Sequence, residues 1–448
     1  MNPGLVIKLR PAGPWRIGPD SGARNRVDVI YHSDSLYSAV TSAMARLGGL
    51  EEWLDATARA VVPAVSFSSC FPFLDEIDFV IPPRTMWPPT LPSLMSAAVR
   101  WKSARFVPLT VVQALLAGRP LDKHKWAVDG ASACLVPTGK PGPFRTGVRW
   151  SAAVDRLSGA AERHGTACIE FRSGAGLWTV VSFSSDAARD RWQDSVKAAF
   201  RLLADTGFGG ERSRGWGRAE APEFTEGLLP ALIVGTGETE DGAGGQGSGV
   251  GEAQAPSEAS VVATTIEPLV IENATAEGPT PVPPIEEPPP AEPPAADPDP
   301  VPEPQPPLPE PEPYPPAPSP VPPLPDPLPA RSAAPGAESE PEAPTPDHPR
   351  PLTPGEAGFW LLSLFAPAPA DTVDWARGSY IVLSRGGRVE SPAGSGELKK
   401  QVRMVAEGSV LYAGAAPCGA APDVAPDGFA HPVFRAGFAL AIPLPEVR

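Results

Sequence analysis

The chain has 448 residues, 63 prolines and a formal net charge of −15. The charge is uneven: residues 231–352 hold 21 Asp and Glu against 2 Lys and Arg, 35 of the prolines, and Tyr314 as their one aromatic residue. Such a stretch has no apolar surface to offset its ordering entropy, which excludes a third packed domain and leaves 1–230 and 353–448 as the folding parts.

The first elements follow from periodicity. Gly4 to Leu9 alternates like a strand, and Asp34 to Leu47 puts Leu36, Val40, Ala43, Met44 and Leu47 on one helical face, with Ser33 or Asp34 as N-cap and Gly48-Gly49 as the stop. Ala64 to Ser68 reads as a second strand and Leu177 to Phe183 as a third. Asp186 to Asp205 reads as a helix capped by Ser185 and ended by Gly207, with Trp192, Val196, Ala199, Phe200 and Leu203 as its apolar face. Arg218 to Phe224 is the expected fourth strand. The order β-α-β, long insert, β-α-β is the split βαβ or ferredoxin-like pattern, an α+β fold shared by RNA-recognition modules.

The insert, about 75–175, carries eight basic residues within 101–150 against Asp122 and Asp129. Lys102, Arg105, Arg119, Lys123, Lys125, Lys140, Arg145 and Arg149 alternate with Trp101, Trp126, Phe144 and Trp150. One reading is a solvated loop whose lysine stems cover apolar surface. The other is a nucleic-acid arm in which cations hold phosphates and aromatic rings stack on bases.

Residues 207–218 concentrate glycine and arginine: Gly209, Gly210, Arg212, Ser213, Arg214, Gly215, Trp216 and Arg218 fall within this span. Glycine allows close backbone approach, so amides can face a phosphate while arginines supply bidentate charge. No Gly-Lys-Ser/Thr follows, and the loop joins helix to strand, the reverse of a dinucleotide site. A nucleotide-binding module is therefore the weakest reading. His32, just before the first helix, is open to three: a structural hydrogen bond, an RNA contact, or an acid/base for metal-independent RNA cleavage. Lys399, Lys400 and Arg403 form a small basic run in the second part, either a solvated element end or an RNA contact.

The four cysteines, Cys70, Cys134, Cys168 and Cys418, stand singly without a Cys-x-x-Cys pair, so no zinc ribbon or disulfide scaffold is signalled. The apolar run Leu5-Val6-Ile7 is too short for a signal-peptide core, and no segment approaches the roughly 20 apolar residues that span a bilayer. A cytoplasmic protein without cofactor or membrane contact is expected.

Several stretches act together: Leu5-x-Ile7-x-Leu9-x-Pro11, His32-Ser33-Asp34-Ser35-Leu36-Tyr37, Gly210-Glu211-Arg212-Ser213 with the glycines around it, and Val154-Asp155-Arg156-Leu157-Ser158-Gly159. In the second part they are Ser384-Arg385-Gly386-Gly387-Arg388, Glu407-Gly408-Ser409 and His431-Pro432-Val433-x-Arg435-x-Gly437. Jointly they are similar to the RAMP superfamily of CRISPR–Cas proteins, and the chain resembles the type III-A (Csm) effector subunit that holds the 5′ handle of the CRISPR RNA.

The resemblance implies two ferredoxin-like halves packed together, 1–230 and 353–448, joined here by a disordered acidic Pro-rich linker over 231–352. It implies a β-hairpin thumb, expected around Lys123 to Arg149, and contacts with the CRISPR RNA handle, the large polymerase/cyclase subunit and the neighbouring backbone RAMP subunit. His32, Ser33, the loop residues 209–218 and the basic residues Lys123, Lys125, Lys140, Arg145, Arg149, Lys399, Lys400 and Arg403 are the RNA-contact candidates. The leading function is a non-catalytic RNA-binding scaffold. The alternative is a RAMP endoribonuclease that processes precursor RNA with His32 as acid/base.

The linker's surplus of acidic residues repels RNA and competes for basic surface. Deleting 240–350 is expected to tighten binding to random-sequence RNA at low salt in a filter-binding assay; an unchanged affinity rejects this role.

Overall fold

The computed structural model describes residues 1–18, 23–90, 92–156, 158–235, 356–391 and 394–445. From 236 onward the expected linker lies outside the described residues, all of which fall in one compact unit. Residues 231–235, which composition assigns to that linker, belong to the folded part, as described below.

The N-terminal part runs β1 (Asn2–Leu9), α1 (Ser33–Arg46), α2 (Leu50–Ala56), β2 (Val65–Phe67), β3 (Phe71–Leu74) and β4 (Ile77–Val80). Then come α3 (Met95–Trp101), β5 (Val107–Pro108), α4 (Leu109–Leu116), β6 (Trp126–Asp129), β7 (Cys134–Pro137), β8 (Phe144–Val154) and β9 (Ala161–Phe171). It closes with β10 (Ala175–Phe183), α5 (Asp186–Thr206), β11 (Glu223–Leu229) and the short helix α6 (Ala231–Val234). The C-terminal part is β12 (Ala357–Leu361), β13 (Val373–Ser379), β14 (Val382–Arg385), β15 (Arg388–Ser391), β16 (Gly394–Leu398), β17 (Val402–Val405), β18 (Val410–Ala413) and β19 (Ala441–Pro443).

One antiparallel sheet takes the order β11-β1-β10-β3-β4-β5, with β2 also paired to β10. Its two central strands bury apolar side chains: Leu5, Ile7 and Leu9 on one face of β1, and Leu177, Trp178 and Val180 of β10. Helix α5 presents the predicted face, Trp192, Val196, Ala199, Phe200 and Leu203, to that sheet, and Ser185 Oγ caps it by accepting from the Ala188 amide at 3.1 Å.

Two expectations shift. The N-cap of α1 is His32, which makes no side-chain cap bond, because Ser33 and Asp34 are engaged elsewhere. The last strand starts at Glu223 rather than Arg218. Residues 218–220 bond irregularly to Ala12, Ala204 and Arg10, and Pro222 lacks the amide an earlier ladder needs. Helix α6 seals this edge, with Ile233 fully buried and its carbonyl accepting from Gln113 Nε2 at 2.6 Å.

The C-terminal part forms a second antiparallel sheet, β13-β18-β12-β19, plus the two-stranded ribbons β14–β17 and β15–β16. Trp360, Leu362, Phe438 and Ile442 from this part lie in the same buried cluster as the N-terminal core. Phe438 meets Tyr37 of α1 edge-on at 5.5 Å, and Trp360 Nε1 donates to the Ile81 carbonyl at 3.1 Å. Phe438→Ala is expected to destabilise the whole unit by about 3–5 kcal/mol, with both parts lost in one urea transition. A shift below about 1 kcal/mol would mean that the two parts stand independently.

Candidate nucleic-acid interface

The His32-Ser33-Asp34 element lies at the seam between the two parts. Asp34 is buried, and both of its oxygens accept from Arg385, at 3.1 Å from Nε and from Nη2. Arg435 Nη1 also donates to Asp34 Oδ2, while its Nη2 bonds the Gly386 carbonyl. Burial works against the Asp34 charge, but the two guanidiniums outweigh it and bring the carboxyl down to about 2. Ser33 Oγ accepts from the Leu364 amide at 3.0 Å, and the Ser33 amide donates to Ser69 Oγ at 2.8 Å.

His32 sits beside this pair, 3% exposed. Its Nδ1 is 2.7 Å from Glu407 Oε1 and its Nε2 is 3.3 Å from Asp28 Oδ2, while Ser69 Oγ donates to the same Glu407 oxygen. Burial disfavours the imidazolium, yet the Glu407 carboxylate and the two hydrogen bonds raise His32 to about 10. Asp28 falls to about 2 despite its own desolvation. His32 is therefore a charged ring with both nitrogens occupied. His32 and Ser33, two of the RNA-contact candidates, are buried joints here, and their polar atoms are hydrogen-bonded within the protein. An imidazolium clamped between two carboxylates also lacks the free lone pair that a general base requires.

The glycine loop folds around Arg16. The guanidinium of this buried arginine donates to the carbonyls of Ala23, Arg24, Arg26 and Ala167 at 2.9–3.3 Å, and its own carbonyl accepts from the Gly210 amide at 2.8 Å. A Cβ at Gly209 would lie 2.6 Å from the Arg16 oxygen, and one at Gly217 would lie 2.1 Å from the Phe208 oxygen; both residues have positive φ. The amides of Gly210, Gly215 and Gly217 donate to Arg16, Arg212 and Pro14. Gly209 and Gly217 serve close packing, and the amides of Gly210 and Gly215, expected to face a phosphate, are hydrogen-bonded within the protein. The exposed side chains of this loop are those of the 3₁₀ turn Arg212-Ser213-Arg214. Trp216 is half-buried and Arg218 is exposed, its carbonyl accepting from the Ala12 amide and Trp15 Nε1.

Beside the turn runs a cleft of about 250 Å³ between α1 and α5. Ser35, Ser38 and Ser42 of α1 line it, with Arg46 at one end and Arg212 at the other. Among the described residues Arg46 has no ion-pair partner. Arg212 pairs with Glu390 of β15 at 2.5 Å, and both are largely exposed. Arg214 reaches Glu211 at 3.3 Å and Ser151 of β8 at 3.5 Å, which brings the turn against the β8–β9 ribbon.

That ribbon is the long projecting hairpin. Its strands pair from Phe144↔Phe171 to Val154↔Ala161, and most of β8 is exposed on both faces. The thumb expected at Lys123–Arg149 thus overlaps only its first strand, and Leu157 in its turn lies outside the described residues. Trp150 is 62% exposed with Arg163 4.7 Å over its ring. Arg145 and Arg149 project from β8 and share Glu170 at 2.9 and 2.7 Å.

The other basic candidates lie elsewhere. Lys123, Lys125 and Lys140 flank the β6–β7 hairpin, which joins the sheet near β5 through the Phe106↔Cys134 bridge. The glycine loop feeds β11 at the opposite edge, five strand spacings away, roughly 24 Å. The run Lys399, Lys400 and Arg403 is parted. Lys399 lines a cleft with His431, Lys400 pairs with Asp427 at 2.7 Å, and Arg403 lines another cleft with Trp375 and Tyr380. The sequence reading assigned no role to Arg16, Arg46, Arg385, Glu407 or Arg435. Three of these stood inside the recurring motifs, which was the available signal. Among the described residues no His, Cys, Asp or Glu group could hold a metal ion, and no helix is long and apolar enough to cross a membrane.

No curated protein matches the chain. Among solved structures it is similar to a chain of a Csm3–Csm4 subcomplex of the type III-A CRISPR–Cas interference complex, at 10% identity over 98% of this chain and 99% of that one, TM-score 0.49. It is also similar to a chain of a Csm1–Csm4 cassette in complex with cA4, at 13% identity over 99% and 98%, TM-score 0.46. Residues 356–444 match the family model of the CRISPR Csm4 C-terminal domain. That family match bears out the resemblance to a type III-A Csm subunit of the RAMP type.

The sign of the His32 shift sets a pH dependence. A folded value raised from 6.5 to about 10 contributes stability that is fully present below pH 6.5 and is lost as pH rises through about 10. Wild-type stability in urea titrations is expected to fall across that window. His32→Gln should be less stable at neutral pH by about 3–5 kcal/mol, because Glu407 is left buried and unpaired, and should lose less over the same window. Parallel slopes for the two proteins would remove His32 as the titrating group.

Proposed function

We propose that this chain is the Csm4-type, RNA-binding and non-catalytic subunit of a type III-A CRISPR effector. In this reading it holds the 5′ handle of the CRISPR RNA along the cleft between α1 and the glycine loop. The observation that carries the reading is the convergence there of Arg46 and Arg212 with three serine hydroxyls, while Arg214 on the same turn reaches an exposed ribbon bearing Trp150. Cations and hydroxyls bind the strand's backbone, and an exposed aromatic offers a stacking face to a splayed base. The β-α-β…β-α-β order with β1 and β10 central supports a ferredoxin-like N-terminal half.

A scaffold role is supported by the fate of His32, the residue on which cleavage would depend. Its charge and both nitrogens are committed to Asp28 and Glu407. The Csm1–Csm4 and Csm3–Csm4 assemblies of its structural relatives support contacts with the large polymerase/cyclase subunit on one side and a backbone RAMP subunit on the other. For the stretch from 236 to 355, composition alone supports a spacer.

The test is binding of end-labelled repeat-derived handle RNA and a scrambled control, with the products run on a denaturing gel. Wild type is expected to prefer the handle and to leave it intact. Arg212→Ala with Arg214→Ala should weaken handle binding at least about tenfold and flatten the salt slope by about 1.4, the equivalent of two single-strand phosphate contacts. Unchanged affinity overturns the site, and a cleaved product overturns the non-catalytic role.

A further inference from the structure

A second cleft, of about 410 Å³, opens where the 81–88 loop and the start of α3's following turn face the C-terminal part. It shares no lining residue with the cleft beside the glycine loop. Three cations converge on it, Arg84, Lys102 and Arg105, all exposed. Among the described residues no carboxylate lies within 4.0 Å of Arg84 or Lys102, and Arg105 reaches only Asp28, at 3.7 Å. The same wall holds Trp87, whose buried Nε1 has no acceptor among the described residues and whose ring stacks on Trp101 at 5.9 Å, 2° from parallel. His32 and Glu407 also line the cleft, so the acidic groups Asp28 and Glu407 are answered by the His32 imidazolium and Arg105. Arg84 and Lys102 remain in excess.

The cleft is also held in shape. The Arg84 amide donates to the Gly408 carbonyl at 2.9 Å, Trp360 Nε1 holds the Ile81 carbonyl at 3.1 Å, and the Met86 amide closes a turn on Pro83. Its volume lies in the range of small-ligand sites. Cations without carboxylate partners and an aromatic wall suit an acceptor-rich anion joined to a flat ring.

We propose that this cleft binds a phosphate ester of a nucleotide, with Arg84 and Lys102 on the phosphate and Trp87 supplying an aromatic wall. The ligand is either a free nucleotide or one unit of an RNA strand, and neither source requires the glycine-loop reading to be right. Tripolyphosphate, ATP and a short single-stranded RNA are titrated calorimetrically into the full chain. The same titrations use Arg84→Ala with Lys102→Ala, Arg212→Ala with Arg214→Ala, and all four changes together; melting curves confirm that each variant is folded.

If the source is a free nucleotide, ATP and tripolyphosphate bind wild type, weaken about tenfold in the Arg84/Lys102 variant, and are untouched by the Arg212/Arg214 variant. If the source is RNA, the RNA alone binds, and the Arg84/Lys102 variant weakens it about tenfold whether or not the Arg212/Arg214 changes are present. The proposal is overturned if no probe binds wild type, or if the Arg84/Lys102 variant keeps every affinity within about twofold. Loss of RNA binding in the Arg212/Arg214 variant only would uphold the glycine-loop site while rejecting this one.

Discussion

The arrangement of this molecule depends on one buried carboxylate. Asp34, at the first turn of α1, takes hydrogen bonds from two arginines that the chain supplies more than 350 residues later. Removing three charges from water is costly, and their attraction offsets that cost only when the geometry is right. Such a cluster contributes little net stability but tolerates few alternatives. It therefore fixes how the C-terminal part sits on α1, and the adjoining His32–Glu407 pair repeats the same logic one turn of chain away. The apolar surface of Tyr37, Trp360 and Phe438 supplies the favourable free energy, while the charges choose the register.

Because α1 is fixed at that seam, it becomes the common wall of the clefts around it. Its serine face lines the cleft that ends in Arg212, its Tyr37 and Thr41 line the cleft containing Lys399, and His32 at its N-terminus lines the cleft with Arg84 and Lys102. A rigid helix with short polar side chains leaves room for a ligand and places the cations at the rims. The glycine loop follows a related principle. A buried guanidinium, Arg16, gathers four carbonyls and lets the chain turn tightly enough to present Arg212 and Arg214 outward.

The parts of the fold legible in the sequence were those whose signal is local. The periodicity of Leu36, Val40 and Ala43 marks α1, that of Trp192, Val196 and Phe200 marks α5, alternation marks β1, and the apolar run Leu177 to Phe183 marks β10. What periodicity does not carry is the partner of a polar residue. Ser33 and Asp34 look like a helix cap from their neighbours, and only the distant Leu364 amide, Arg385 and Arg435 show that they are buried joints. The same limit explains the lysine–arginine run at 399–403, where the chain passes from β16 to β17 of another ribbon and its side chains reach different surfaces. Glycines 209 and 217 were recognisable as sites of close approach, but the sequence does not tell whether the approaching atom belongs to a phosphate or, as here, to Arg16 and Phe208.

The Arg212–Glu390 pair joins the glycine loop to β15 across the mouth of the α1 cleft. An anion that approaches Arg212 meets Glu390 already on one arm of the guanidinium and competes with it for that charge. Occupancy of the cleft and the resting position of the β15–β16 ribbon are for this reason two sides of one equilibrium. Glu390 is a competitor tethered to the same chain, present at a fixed local concentration beside Arg212 whatever the concentration of free anions.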